Sequence, residues 1–273
     1  MKYNYLMFIL LCCLMPQCQA HAQQPDSFRL LQTLPGELRY ATADNLGNTY
    51  IITVGNAVEK YAPDGKLLTR YTNNRLGTPT YLDVSNPLKI LVWYADFRKI
   101  IFLNRSGTEL GELDLMGAGF PEVRVVAAAQ DGNLWIYDEV AFLLRKISPE
   151  GEALFESQNL SLFGPGRLTI ACIRDDGNQV YLSDPNEGLI ILDAYAQSYR
   201  TRPGKGIVNF QIFDDKLLYI KDFKLNIEDL RAFTNIAMPL PGAGEMQPEN
   251  KRFWLGPGRL FIQEGNVLLV YSF

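Results

Sequence analysis

The chain has 273 residues, of which 47% are hydrophobic and 21% are charged, and its formal net charge is −4 at pH 7. This composition supplies enough apolar material for a folded core and lacks the bias of disordered or collagen-like chains. Because nucleic acids and anionic membranes attract clusters of Lys and Arg, the acidic balance argues against both kinds of partner.

Residues 1–22 have the features of a secretory signal peptide. Lys2 is their only charged residue, and the apolar run at 6–15 is shorter than the about 20 residues that cross a bilayer. Ala20-His21-Ala22 then supplies the small-x-small pattern that signal peptidase recognises. We expect cleavage after Ala22, one domain over residues 23–273, and a periplasmic or secreted protein without a transmembrane segment.

Lipid anchoring through Cys18 is the alternative to this cleavage. The preceding residues, Met15-Pro16-Gln17, lack the small side chains of a lipobox, which favours the signal peptide. Cleavage would remove three of the four cysteines and the single histidine, His21, and would take the net charge from −4 to −5. The remaining thiol, Cys172, lies in an apolar strand pattern that predicts a buried, inert cysteine.

One pattern recurs six times at intervals of about 38 to 46 residues, the spacing of propeller blades. Each copy has an aromatic residue and, three residues later, a polar one. The aromatic residues are Tyr50, Trp93, Trp135, Tyr181, Tyr219 and Phe261. The polar residues are Thr53, Asp96, Asp138, Asp184, Asp222 and Glu264.

Most repeats divide into four short strands joined by turns containing Gly, Asp or Asn. In the first repeat these strands are predicted at 38–43, 49–53, 57–61 and 67–71. The sixth repeat has only three, whereas Phe28 to Leu34 forms a strand pattern without a partner before it. Pairing that strand with the sixth repeat would complete its sheet and close the ring.

The sequence therefore predicts an all-β, six-bladed β-propeller closed by an N-terminal strand that completes the last blade. Seven blades, with a degenerate one at 239–250, and a β-sandwich are the alternatives. Residues 239–250 are rich in Pro and Gly and have no strand pattern. In the less regular parts, an inner strand is predicted at 168–173. Strands are predicted at 225–227 and 231–238, with a helical turn at 227–231 as the alternative.

Two segments carry a family resemblance. Trp93 to Phe102 combines an aromatic residue, Asp96, a basic turn and an apolar strand, and 44–68 contains Gly47-Asn48-Thr49-Tyr50. Both resemble blades of the NHL-type six-bladed propellers. The resemblance implies a ring of blades around a channel. It implies no single activity, because such propellers include scaffolds, receptors, lyases and lactonases.

The repeated acids have two interpretations. They could bind Ca²⁺, which prefers several oxygen ligands, or each could accept backbone hydrogen bonds in its own turn. The second is favoured because the acids recur once per blade rather than clustering. Without a histidine the mature chain cannot form a Ser-His-Asp triad or a His-rich zinc site. We assign no catalytic residue, metal ligand or cofactor.

The connections between blades are rich in Gly and Pro and carry cations and aromatics. In a propeller they gather on one face around the channel mouth. We predict that this loop-rich face is a non-enzymatic binding or scaffold surface for a protein or an anionic glycan. A Ca²⁺-dependent lactonase-like hydrolase is the alternative. The candidate contact residues are Arg75, Phe120, Arg124, Phe163, Arg167, Arg202, Lys205, Arg252 and Trp254.

Overall fold

The structure, a computed structural model, describes residues 28–163, 168–197, 199–213, 215–232, 234–242 and 251–273. The predicted leader, Arg167 and most of the Pro/Gly-rich segment at 239–250 lie outside the described residues. Within them the chain forms 24 β-strands arranged in six four-stranded antiparallel sheets.

The first three sheets follow the chain without interruption. Blade 1 contains β2 (Leu38–Ala43), β3 (Thr49–Thr53), β4 (Ala57–Tyr61) and β5 (Leu67–Thr72). Blade 2 contains β6 (Tyr81–Asp83), β7 (Ile90–Tyr94), β8 (Lys99–Leu103) and β9 (Glu109–Asp114). Blade 3 contains β10 (Val123–Ala128), β11 (Leu134–Asp138), β12 (Leu143–Ile147) and β13 (Ala153–Glu156).

The remaining three sheets complete the set. Blade 4 contains β14 (Cys172–Asp175), β15 (Gln179–Asp184), β16 (Gly188–Asp193) and β17 (Tyr199–Pro203). Blade 5 contains β18 (Phe210–Phe213), β19 (Lys216–Lys221), β20 (Lys224–Asp229) and β21 (Asn235–Pro239). Blade 6 contains β22 (Lys251–Gly256), β23 (Arg259–Glu264), β24 (Val267–Ser272) and β1 (Arg29–Pro35).

The N-terminal strand closes the ring as predicted. β1 pairs antiparallel with β24, from Arg29 opposite Ser272 to Pro35 opposite Val267. Leu34 of β1 is 4% exposed and belongs to the apolar core that it shares with blade 1. The chain therefore closes on itself through strand pairing of its first and last described segments.

The innermost strands form a closed circle. β2 contacts both β6 and β22, β10 contacts β14, β14 contacts β18, and β18 contacts β22, while blade 3 meets blade 2 through β10 and β7. Apolar clusters fill the spaces between successive sheets, and the six repeated aromatic residues are all buried. Each sheet thus buries its faces against its neighbours, giving a six-bladed β-propeller.

Two local predictions need correction. β14 begins at Cys172, not at Leu168, because the backbone N–H of Thr169 bonds the Asp184 carboxylate at 2.6 Å instead of joining a strand ladder. In blade 5, β20 continues to Asp229, so residues 227–229 are strand rather than a helical turn.

The described residues contain only short helical segments. One 3-10 segment spans Ala95–Phe97 and another Leu160–Phe163. Among the described residues, no helix is both long and apolar enough to cross a membrane.

Candidate functional site

A cavity of about 540 Å³ opens at the end of the channel where the inner strands begin. The connections from outer to inner strands end there, which makes this the loop-rich face. Aromatic side chains form much of the wall, and short side chains and backbone fill the gaps. The lining residues used below are Tyr40, Tyr81, Trp93, Arg124, Cys172, Arg174, Asn209, Phe253 and Trp254.

Arg174, in β14 of blade 4, forms the floor of this cavity. Its Nη1 donates to the Tyr81 hydroxyl at 2.5 Å and to the Ile173 carbonyl at 2.9 Å, and its Nη2 donates to Asn209 Oδ1 at 3.1 Å. Its guanidinium also lies over the Tyr81 ring, 5.6 Å from the centroid. Because Tyr81 belongs to blade 2 and Asn209 precedes β18 in blade 5, Arg174 bridges the channel.

The Arg174 guanidinium makes no ion pair with any carboxylate in the described part of the chain. The guanidinium is linked to a negative charge only through Tyr81, whose hydroxyl accepts from Arg174 and also lies 3.4 Å from Asp83 Oδ2. That carboxylate is buried and already accepts the backbone N–H of Ala128 at 3.0 Å. A guanidinium has five donors, so Arg174 retains hydrogen-bonding capacity toward the cavity.

Tyr40 of β2 supplies a second unused polar group. Its side chain is 9% exposed and lines the cavity, and its ring packs edge-on against Tyr81 with 5.5 Å between centroids. The Tyr40 hydroxyl lies near Thr42 yet makes no hydrogen bond of normal geometry to the described residues. A buried hydroxyl without a partner costs roughly 1–3 kcal/mol, which a ligand atom could offset.

The lining is cationic although the whole chain is acidic. It contains two arginines, Arg124 and Arg174, and no Asp or Glu. The Arg124 side chain is 63% exposed and its Nε lies 3.1 Å from Glu139 Oε2, so its charge is largely neutralised and screened. Arg174 is therefore the positive charge that an entering group would meet without competition from a carboxylate.

The other titratable groups of the cavity stay neutral near pH 7. Burial raises the pKa values of the Tyr40 and Tyr81 hydroxyls and of the Cys172 thiol above their usual ranges, while Arg174 acts in the opposite direction. Burial disfavours the charge on Arg174, but the acidic groups around it, the Asp83 carboxylate among them, hold its pKa above the usual value. The cavity floor consequently carries a fixed positive charge between neutral walls.

The nine predicted contact residues do not form one group. Arg124 and Trp254 line the cavity. Arg202 instead pairs with Glu228 in a separate groove between blades 4 and 5. Phe120 is 9% exposed and belongs to the core between blades 2 and 3, because the backbone turn at 115–120 folds it inward.

The remaining predicted contact residues lie outside the cavity lining. The side chains of Arg75, Lys205 and Arg252 are exposed. The backbone of Phe163 ends a 3-10 segment, and Arg167 lies outside the described residues. The structure therefore brings together two of the nine.

The repeated acids differ from blade to blade. Asp138 Oδ1 accepts the backbone N–H groups of Val140 and Ala141, at 3.0 and 2.9 Å, and Asp184 accepts those of Asn186 and Glu187 in the same way. The interpretation as turn-capping residues is confirmed for these two. Asp96 and Asp222 are exposed, and Glu264 pairs with Lys251. Within the described ranges, no three His, Cys, Asp or Glu side chains are grouped closely enough to hold a metal ion.

The sequence prediction missed Arg174, Tyr40, Tyr81 and Asn209. A usable signal was present, since a charged or aromatic polar residue inside an innermost strand must face either a neighbouring sheet or the channel. The predicted inner strand of blade 4 ended at Ile173 and the predicted turn began at Asp175, which left Arg174 outside the strand. Cys172 was predicted to be buried, and it is, with its sulfur 3.5 Å from Asn209 Oδ1.

Comparisons with known proteins agree with the fold. Neither a scan against protein-family models nor a search of curated proteins gives a match. Virginiamycin B lyase from Staphylococcus aureus superposes with a TM-score of 0.59 at 14% identity, over 90% of this chain and 89% of that one. The Pan2 WD40 domain of Neurospora crassa gives a TM-score of 0.61 at 11% identity, over 90% of this chain and 95% of that one.

A catalytically inactive form of the same staphylococcal lyase, solved with quinupristin, gives a TM-score of 0.62 at 13% identity, over 90% of this chain and all of that one. At such identities the similarity establishes the fold class alone. The protein is a six-bladed β-propeller that resembles both an enzyme and a WD40 domain in shape.

Proposed function

We propose that this protein is a non-enzymatic binding propeller that recognises an anionic group on a protein or a glycan through its loop-rich face. One observation carries the proposal. In an acidic chain, the cavity on that face contains two arginines and no carboxylate, and the guanidinium at its floor has no ion-pair partner among the described residues. Such a site favours anions.

The size of the cavity supports binding as well. Sites for small molecules and protruding partner groups usually enclose about 300–1,000 Å³ and combine apolar walls with a few placed polar groups. The cavity here, at about 540 Å³, has aromatic walls and polar groups concentrated on its floor. We propose further that the protein acts outside the cytoplasm, as its leader sequence suggests, which cell fractionation would test.

Nothing in the described residues favours a second function. The inactive staphylococcal lyase carries a histidine-to-alanine change, whereas the single histidine of this chain is His21, in the predicted leader. A lyase with a histidine in its reaction is therefore not proposed. The Ca²⁺-dependent hydrolase lacks a supporting group of ligands in the part of the chain that the structure describes.

The test compares the two faces of the ring. The purified protein is screened against anionic glycans and used to capture protein partners, and each hit is then measured with Arg124→Glu and with Arg105→Glu. Arg124 lines the cavity, while Arg105 is an exposed arginine in the turn between β8 and β9, on the opposite face.

We expect Arg124→Glu to weaken binding at least about 10-fold, since it replaces the neutral Arg124–Glu139 pair at the entrance by two negative charges, and Arg105→Glu to leave binding within about 2-fold. Binding that resists Arg124→Glu, or that is lost only with Arg105→Glu, contradicts the proposal.

A further inference from the structure

The geometry points to a carboxylate on an apolar body as the group that enters the channel-mouth cavity, with Arg174 as its anchor. This inference rests on the proposed function and specifies the chemistry of its ligand. Two sources of that chemistry are compatible with the cavity, a free organic acid and the C-terminus of a peptide with an apolar last residue.

The anchor is defined by Arg174 and by two neighbouring polar side chains that line the same cavity, Tyr40 and Asn209. Arg174 presents a planar guanidinium, and planar carboxylates match its geometry with two parallel hydrogen bonds. The ring of Tyr40 lines the cavity beside it, and the Tyr40 hydroxyl, enclosed near Thr42, makes no hydrogen bond of normal geometry to the described residues. Asn209 uses its Oδ1 for Arg174 and the Cys172 thiol, which leaves its amide nitrogen as a further donor. Donors therefore outnumber acceptors here, as an anion requires.

The position of the guanidinium is fixed before a ligand arrives. Tyr81, Ile173 and Asn209 each accept a hydrogen bond from Arg174, and the Tyr81 ring lies beneath its charge. An arginine held in this way loses little side-chain entropy on binding. The neighbouring Asp83 does not compete, because the backbone N–H groups of Ser85 and Ala128 already occupy its carboxylate oxygens.

The walls above the anchor select the body of the ligand. Trp93, Phe253 and Trp254 line the cavity together with the rings of Tyr40 and Tyr81. The Trp93 indole N–H donates to the Arg124 carbonyl at 3.0 Å, so it offers no hydrogen bond to a ligand. Walls of this kind favour an aromatic or aliphatic body, whereas a sugar acid would leave most of its hydroxyl groups without partners.

The experiment measures binding of named small probes to the intact protein by calorimetry and by ligand-observed NMR. Benzoate and 4-phenylbutyrate provide the carboxylate with an apolar body, and benzamide is the uncharged control for benzoate. Glucuronate provides a carboxylate on a polar body. A short peptide ending in Phe is compared with the same peptide amidated at its C-terminus.

We expect saturable binding of at least one apolar carboxylate below about 10 mM, with no binding of benzamide or of the amidated peptide. Binding of the free acids alone identifies a small organic acid as the ligand, and binding of the peptide identifies a chain terminus. Tighter binding of glucuronate than of benzoate, or equal binding of benzamide, would overturn the inference.

Three variants and one control connect the result to the cavity floor. Arg174→Met keeps the length of the side chain and should weaken carboxylate binding by about 10- to 100-fold, and Tyr40→Phe by about 2- to 10-fold. Arg75→Ala, an exposed arginine that does not line the cavity, should have no effect. Circular dichroism confirms that each variant is folded, and Arg174→Lys provides a charged replacement without the planar fork.

If Arg174→Met binds carboxylates as well as the original protein, the anchor is refuted. The proposed function can then still hold, because its own test depends on Arg124 and on larger partners. If Arg124→Glu abolishes partner capture while no carboxylate probe binds, only the present inference fails.

Discussion

The wide end of the channel encloses about 540 Å³ and the narrow end about 60 Å³, although the same inner strands form both. At the narrow end the polar groups are paired. Asp175 accepts the Trp135 indole N–H at 2.6 Å, and Gln211 Nε2 donates to the Leu255 carbonyl at 2.9 Å. At the wide end Tyr40 has no hydrogen bond of normal geometry to the described residues.

This difference shows how one ring separates stability from recognition. Paired polar groups in a tight space hold neighbouring blades together, whereas the wide end has room for a ligand beside an arginine that retains unused donors. Substitutions at the narrow end should therefore cost stability, and substitutions at the wide end should change binding with little effect on stability. The following predictions test that separation, from the largest expected effect to the smallest.

Gly256→Ala should destabilise the protein most, by about 3 kcal/mol. A Cβ at Gly256 would lie 2.7 Å from the backbone nitrogen of Ala43, where β22 and β2 approach each other at the narrow end. Urea unfolding measures the change. Gly111→Ala is the control, since a Cβ there meets nothing within 4 Å. Equal costs for the two substitutions would show that the narrow end is not tightly packed.

Asp83→Ala should cost about 2 kcal/mol, because it leaves the partly buried N–H of Ala128 without an acceptor and removes a carboxylate that favours the charge on Arg174. Thermal and urea unfolding measure the loss. The matched control is Asp64→Ala, whose carboxylate accepts a backbone N–H in an exposed turn. A loss no larger than that of the control would contradict the structural role assigned to Asp83.

Arg174→Met should change the free energy of unfolding by less than about 1 kcal/mol, even though Arg174 crosses the channel. Replacing a buried charge by an apolar side chain of similar length removes a desolvation cost along with the hydrogen bonds. Chemical denaturation of the variant gives the value. A loss above about 3 kcal/mol would mean that Arg174 is principally a structural bridge.

Alkylation of Cys172 should be slow in the folded protein and should accelerate as the pH rises. Burial raises the pKa of this thiol, so less of the reactive thiolate is present at a given pH than in a free cysteine. Peptide mapping after iodoacetamide treatment at several pH values measures the rate. Reaction at the rate of free cysteine at pH 8 would show that the wall beside Cys172 is open to solvent.

Arg124→Ala should have the smallest effect on stability, within about 0.5 kcal/mol, because an exposed ion pair contributes little in water. Arg124 Nε lies 3.1 Å from Glu139 Oε2, and the Arg124 side chain is 63% exposed. Thermal unfolding in low salt detects any change. A larger loss of stability would show that Arg124, at the wide end, also contributes to holding the fold together.

Much of the fold could be predicted from local features of the sequence. Short apolar segments separated by turns containing Gly, Asp or Asn indicated the strands, and the recurring aromatic residues from Tyr50 to Phe261 gave the number of blades. The closing strand followed from counting, since the sixth repeat lacked one strand and the segment before Leu38 had no partner. Each of these features is carried by residues that are close in sequence or repeat at a fixed interval.

The site could be predicted only in part. Glycine-rich connections marked the loop-rich face and led to Arg124 and Trp254, which do line the cavity. The same criterion selected Phe120, which the turn after β9 folds into the core. Being in a loop indicates nearness to the face, but it does not determine whether a side chain points outward, inward or along the channel.

By itself, then, the sequence determined the six sheets, their order and the strand that closes the ring, because these depend on periodicity and on strand pairing. Only the tertiary structure decided that Arg174, Tyr40 and Asn209 meet, since they come from blades 4, 1 and 5 and are far apart in the chain. Their meeting depends on the radius of the ring and on the twist of each blade, which arise from packing among all six sheets.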